Sequence, residues 1–85
     1  MGSGLSRTDE IAYLVVPDPA AAYRLAQQSE REFPNGVLSE ERQALQVLAL
    51  AKSGSTDEAR RKANAFFARY PQSPMRDLIE AGLRR

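Results

Sequence analysis

Apolar residues recur three and four positions apart in five successive segments, the spacing that places them on one side of a helix. The predicted helices cover about 7–16, 19–33, 39–53, 56–70 and 74–84. In the fourth, Ala59, Ala63 and Phe66 mark the inner side, whereas Arg60 and Arg61 point to water. Because the connections between consecutive helices are short, neighbouring helices should be antiparallel. The pattern predicts an all-α fold of antiparallel helical hairpins, stacked as a short array of about five helices.

Helix ends are marked by capping side chains and prolines. Asp18 and Ser73 each precede a proline, which suits the first helical position. Ser55 followed by Glu58 fits a capping box. The other predicted caps are Ser6 or Thr8 for the first helix and Ser39 for the third, and the predicted stops are Pro17, Pro34, Gly54 and Pro71. Gly54 should adopt the left-handed conformation that closes a helix, and Gly82 indicates a frayed final turn.

The chain of 85 residues is long enough for one small domain. Its opening Met1-Gly2-Ser3-Gly4 is typical of an added leader, although Gly2 and Ser6 also fit the loose pattern for myristoylation. We therefore assign 1–5 to a leader or cloning remnant and 6–85 to a single helical domain. Within that domain, 6–37 and 38–73 form two similar units, and 74–84 form a C-terminal capping helix.

The composition argues against catalysis. The chain has no cysteine and no histidine, which removes thiolate chemistry, the commonest general base and the commonest zinc ligand. Adjacent carboxylates such as Glu40 and Glu41 stand at predicted helix starts, where they interact favourably with the helix dipole. Neighbouring helical positions diverge around the axis, so such a pair does not converge on one substrate atom. We expect no enzyme activity, no metal and no cofactor.

Charge is distributed unevenly along the chain. The net charge is +1, which argues against a dedicated nucleic-acid binder. Residues 1–55 carry a net charge of −2 and residues 56–85 a net charge of +3, a division that can orient a protein partner or a second copy. The basic run Arg60-Arg61-Lys62 lacks interleaved aromatic residues. Nucleic-acid binding is therefore less favoured than binding of a protein partner or of a small apolar ligand.

The second and fourth predicted helices align with a shift of 37 residues. Ala22 then corresponds to Ala59, Ala26 to Ala63, Phe33 to Tyr70 and Pro34 to Pro71. Two small residues four positions apart let a paired helix approach closely, and the proline ends the helix. This pattern resembles the second helix of the tetratricopeptide repeat, a helix–turn–helix unit of about 34 residues. Ala59, Ala63, Phe66 and Pro71 match its positions in order, whereas Ser29 takes the aromatic place in the first unit.

Residues 65–74, AFFARYPQSP, are also similar to repeats of bacterial cell-envelope proteins, including outer-membrane assembly lipoproteins and the Tol–Pal-associated envelope factor. The whole arrangement looks like uncharacterised domains of delta-proteobacterial proteins. This resemblance implies a scaffold or adaptor in the cytoplasm or the periplasm. In the latter case the chain would be the soluble domain of a membrane-anchored protein.

In a tetratricopeptide array, the first helix of each unit lines a concave groove. The resemblance therefore predicts a face for partner binding or self-association, composed of Arg7, Ile11, Leu14, Val15, Glu41, Ala44, Leu48 and Lys52. Either the fifth helix folds back over this face, or a second copy or a partner covers it. The predicted function is a non-catalytic protein–protein interaction module that self-associates or binds a protein or peptide. The alternative is a regulatory domain with a small apolar ligand between its helices.

Overall fold

The computed structural model describes residues 7–32 and 38–84. These segments form five α-helices and no strand: α1 (Arg7–Leu14), α2 (Pro19–Glu32), α3 (Ser39–Lys52), α4 (Thr56–Arg69) and α5 (Arg76–Leu83). The prediction of an all-α fold with five helices is confirmed. The predictions for the leader, Ser6, Phe33 and Pro34 concern positions outside the described residues.

The central helix is α3. It packs against each of the other four helices, and α1 also packs on α2 and α4 on α5. In the described segments, no Cα atom of α1 lies within 8 Å of one in α5, and the same holds for α2 and α4. The helices therefore form two layers, α1–α3–α5 and α2–α4. Helix α3 lies between α1 and α5 in the first layer and beneath the gap between α2 and α4 in the second.

Two apolar clusters lie on different sides of α3. It can serve both because its apolar residues extend around most of its circumference. The first cluster joins α3 to α1 and α2 and contains Ile11, Val15, Ala22, Ala26, Leu45 and Ala49. The second joins it to α4 and α5 and contains Ala44, Val47, Leu50, Ala59, Ala63, Phe66 and Ile79.

Helices α2 and α4 match in length and in buried positions. Each has 14 residues, and the shift that places Pro19 on Thr56 also places Glu32 on Arg69. Buried alanines occupy the corresponding positions in both helices. Ser29 is as deeply buried as Phe66, at 1% exposure each. The serine thus occupies in α2 the buried position that the phenylalanine occupies in α4. The side chains expected to face the core do so at these positions.

Local signals correctly predicted two helix ends. Asp18 caps α2, since its Oδ1 accepts a hydrogen bond from the Ala21 N–H at 3.2 Å. Gly54 has φ of 89°. The Ser55 N–H donates to the Leu50 carbonyl at 3.0 Å, and the Gly54 N–H donates to Ala51 at 3.2 Å. This pair of bonds is the Schellman arrangement that a left-handed residue permits.

Other predicted ends were wrong. The first helix ends at Leu14, two residues before Val16. Thr8 lies inside it, and its buried hydroxyl has no hydrogen-bond partner among the described residues. The N-cap of α3 is Leu38, not Ser39. At α4 only the capping part of the prediction was wrong: the helix begins at Thr56 after Ser55, as predicted, but the Ser55 side chain makes no capping hydrogen bond.

The start of α5 was also predicted too early. Its first residue is Arg76 rather than Pro74. The Ser73 hydroxyl still organises the approach, because it accepts a hydrogen bond from the Met75 N–H at 3.1 Å. Gly82 does not mark a frayed turn. A Cβ atom built on it would lie 2.8 Å from Leu48 Cδ2, so glycine allows α5 to approach α3 closely.

Candidate functional site

An open groove runs between α1 and α5. Both helices pack on α3 but not on each other within the described segments, so α3 is accessible between them. The groove has a volume of about 280 Å³ and is lined by Val15, Val16, Leu48, Lys52, Leu78, Ala81 and Gly82. We call it the α1–α5 groove. Its lining is apolar except for Lys52.

Exposed apolar side chains form the rim of this groove. Val16 is 71% exposed on the α1 side, and Leu78 is 51% exposed on the α5 side. Tyr13, near the end of α1, is another large exposed side chain, at 74%, but it does not line the groove. Large apolar side chains at the edge of an apolar depression are typical of surfaces that bind another molecule.

Two opposite charges flank the groove. Lys52 lines it, and Asp77 lies beside it, because Asp77 is four residues before the groove residue Ala81 on α5. Both residues are exposed. Neither makes a hydrogen bond or an ion pair with another described residue. Each charge is thus available to a partner molecule.

The structure places the predicted interaction residues unevenly. Ile11 and Ala44 are fully buried and Val15 is 7% exposed, so these three side chains are covered within the chain, although Val15 still borders the groove. Leu48 forms the groove floor and Lys52 its end. Leu14 is half-buried and packs on the first apolar cluster.

The remaining two predicted residues are Glu41 and Arg7. Glu41 is exposed near the start of α3, eleven residues from Lys52 and therefore about 16 Å away along the axis. Arg7 is the first residue of α1, and its side chain is outside the described part of the chain. The accessible part of the predicted face is therefore the C-terminal half of α3, together with the ends of α1 and α5.

Sequence reasoning missed the contribution of α5. Leu78 was not among the predicted interaction residues, and Gly82 was interpreted as a sign of fraying. The sequence did contain one signal, because Leu78 and Gly82 are four residues apart and so share one side of a helix. Of the two predicted ways to cover the face, α5 covers part of it by packing on Leu48. The strip next to α1 stays open.

The other residues considered for chemistry lie apart from the groove. Asp9–Glu10, Glu40–Glu41 and Asp57–Glu58 occupy the first turns of α1, α3 and α4. In the described segments, no three histidine, cysteine or acidic side chains are grouped as metal ligands would be. Within the basic run, Arg60 and Arg61 are exposed and Lys62 is half-buried.

Comparisons with protein-family models, with curated proteins and with solved structures gave no significant match to this chain. None of the helices in the described segments is long and apolar enough to cross a membrane.

Proposed function

We propose that the chain is a non-catalytic interaction module that associates with a second copy of itself through the α1–α5 groove. The observation that carries this proposal is the position of Leu78. It is half-exposed and stands on the rim of an apolar groove that belongs to the same surface. A protruding apolar side chain and a depression of similar chemistry therefore lie side by side.

Such a surface suits two-fold pairing. In a two-fold dimer the same patch is used by both copies, so a residue beside a groove in one copy meets the groove of the other. Leu78 of each copy would enter the partner's groove next to Val16 and cover the accessible part of Leu48. The unpaired Lys52 and Asp77 supply opposite charges at this face, which favours one orientation of the two copies.

We propose that the helices form a tetratricopeptide-like array, an architecture that suits a scaffold. Three features support this assignment: equal lengths of α2 and α4, matching buried positions in them, and two layers with α1, α3 and α5 in one of them. Arrays of fewer than three units leave an apolar face without a neighbouring unit. A second copy over the α1–α5 groove would cover that face.

The test compares Leu78→Asp with Leu38→Asp. Both leucines are exposed, at 51% and 38%. Leu78 is the third residue of α5 and Leu38 is the N-cap of α3. An aspartate is compatible with the helix at either position because it interacts favourably with the N-terminal dipole. The two variants should therefore fold alike, and only Leu78→Asp places a charge in the groove.

Sedimentation velocity over a concentration series measures the outcome. We expect the wild-type chain and Leu38→Asp to show a concentration-dependent dimer, whereas Leu78→Asp stays monomeric. The charge-reversed variant Lys52→Glu should weaken the dimer, and adding Asp77→Lys should restore it. A wild-type chain that remains monomeric at every concentration, or equal dimerisation of the two leucine variants, would refute the proposal.

A further inference from the structure

A second cleft lies on the other side of α3, between α2 and α4. It has a volume of about 240 Å³ and is lined by Glu30, Gln43, Gln46, Lys62, Ala65 and Phe66. We call it the α2–α4 cleft. Gln46 and Leu48 are two residues apart on α3 and so point about 200° away from each other around the helix axis. The cleft is therefore separate from the α1–α5 groove.

The Glu30 carboxylate in this cleft already accepts hydrogen bonds from other side chains of the protein. Glu30 Oε1 accepts hydrogen bonds from the Ser39 hydroxyl at 3.0 Å and from Arg42 Nε at 3.1 Å. Its Oε2 accepts from the Ser39 hydroxyl at 2.9 Å and from Gln43 Nε2 at 3.2 Å. Arg42 also neutralises its charge in a partly buried ion pair. Glu30 thus holds α2 against α3 and adds no free negative charge.

Lys62 leaves the cleft with a net positive charge. Its ammonium group lies 6.0 Å from the centre of the Tyr23 ring. It makes no ion pair with any carboxylate of the described segments. Since the Glu30–Arg42 pair sums to zero, the charge of Lys62 is uncompensated. The cleft therefore favours a ligand with a negative charge.

Gln46 supplies the second recognition group. The residue is only 7% exposed, and its side chain forms no hydrogen bond with any described residue. In the described segments, the only side-chain polar atom that is fully enclosed and lacks a partner is the hydroxyl of Thr8. The Gln46 amide is therefore not fully enclosed, and it is accessible from the cleft that Gln46 lines. The donor and the acceptor of this amide are therefore available to hydrogen-bond a ligand in the cleft.

An amide group pairs well with another amide. The glutamine side chain has one carbonyl acceptor and an NH₂ donor, the same pair that a peptide unit presents. The wall formed by Ala65 and Phe66 is apolar and suits the aliphatic part of a residue. Gln46, Lys62 and this wall together match a peptide unit close to a carboxylate.

We propose that the α2–α4 cleft binds a carboxylate-bearing peptide segment, with its main-chain amide on Gln46 and its carboxylate on Lys62. The carboxylate has two possible sources, an aspartate or glutamate side chain within a chain or the carboxyl terminus of a chain. Both place a carboxylate within a few bonds of a peptide unit. This site is independent of the proposed self-association through the α1–α5 groove.

The experiment is a titration of the full chain followed by the NMR signals of the Gln46 side-chain amide. The probes are acetyl-Ala-Asp-Ala-amide for an internal carboxylate and acetyl-Ala-Ala with a free carboxyl terminus. The controls are acetyl-Ala-Asn-Ala-amide, which lacks the charge, and acetate, which lacks the peptide unit. We expect saturable shifts with at least one acidic peptide, the better of the two identifying the source, and much weaker effects from both controls.

Two variants test the assigned roles. Lys62→Met should weaken binding at least about ten-fold, as expected from loss of a charge-assisted hydrogen bond. Arg61→Met is its matched control, because it removes the same charge from the adjacent, exposed position, and it should leave binding unchanged. Gln46→Leu should reduce peptide binding to the level of acetate.

Several results would overturn the proposal. One is the absence of saturation with either acidic peptide. Another is an equal weakening by Lys62→Met and Arg61→Met, which would indicate general attraction to a basic surface. Acidic peptides that bind Gln46→Leu as tightly as the wild-type chain would show that the amide takes no part in recognition. The Leu78→Asp variant must bind the peptides normally, so failure of the dimer proposal would be distinguishable from failure of this one.

Discussion

The stability of the α2–α3 hairpin should depend on one buried carboxylate. Glu30 accepts hydrogen bonds from Ser39, Arg42 and Gln43, and the side chains of Arg42 and Glu30 are only 6% and 19% exposed. The Glu30→Ala variant leaves Arg42 largely buried without this carboxylate and removes the acceptor of the buried Ser39 hydroxyl. Loss of one partner of a buried pair costs about 3–5 kcal/mol.

The same chain provides an exposed pair for comparison. Arg76 Nε and Glu80 Oε2 are 3.3 Å apart, against 3.1 Å for Arg42 and Glu30, but their side chains are 46% and 40% exposed. An exposed pair of this spacing on a helix contributes about 0.3–0.5 kcal/mol. Glu80→Ala removes the same kind of contact with the same substitution. Its small expected effect isolates burial as the cause of the difference.

The partial exposure of Glu30 places its expected loss at the lower end, at about 3 kcal/mol. That is a large share of the stability of a domain this small, for which about 4–13 kcal/mol is typical. Urea denaturation followed by far-ultraviolet circular dichroism measures both variants. Losses for Glu30→Ala and Glu80→Ala that agree within about 0.5 kcal/mol would refute the reasoning, because burial would then have no effect.

Two further predictions concern single buried positions. Ile79→Ala should destabilise the chain by about 2–5 kcal/mol, because Ile79 is fully buried. Leu78→Ala should change the stability by less than about 0.5 kcal/mol, because Leu78 is 51% exposed. Similar denaturation midpoints for the two variants would contradict the packing of α5 on α3. Thr8→Val replaces a buried hydroxyl that has no partner within 7–32 and 38–84 with a methyl group of the same shape, so the free energy of unfolding should stay equal or rise by about 1 kcal/mol. A clear loss in the same urea assay would show that the hydroxyl is hydrogen-bonded.

The helices themselves were predictable because their signals are local. The apolar spacing in 56–69 and the cap at Asp18 depend on residues within one or two turns. The same is true of Gly54, whose φ of 89° closes α3. Such signals require no knowledge of which helix lies opposite. They failed where a tertiary contact used the same atom, as when the Ser39 hydroxyl donates to Glu30 on α2 instead of capping α3.

The candidate sites were much less predictable. Leu78 and Ile79 are adjacent and both apolar, yet one is half-exposed and the other fully buried. Periodicity assigned both to the apolar side of α5, since a short helix does not define the angle at which it meets its neighbour. Gln46 was not singled out at all. The sequence around a glutamine in an apolar helix does not indicate whether its side chain is exposed to solvent or buried.

The sequence by itself determined the five helices, the helix ends at Asp18 and Gly54 and the inner sides of α2 and α4, because these follow from backbone preferences and apolar periodicity over a few residues. Only the tertiary structure decided that α5 would pack on α3 through Gly82, where a Cβ would meet Leu48 at 2.8 Å. That contact leaves one open strip between α1 and α5, while α2 and α4 enclose a separate polar cleft on the other side of α3. Both depend on distances between helices far apart along the chain, which local patterns do not encode.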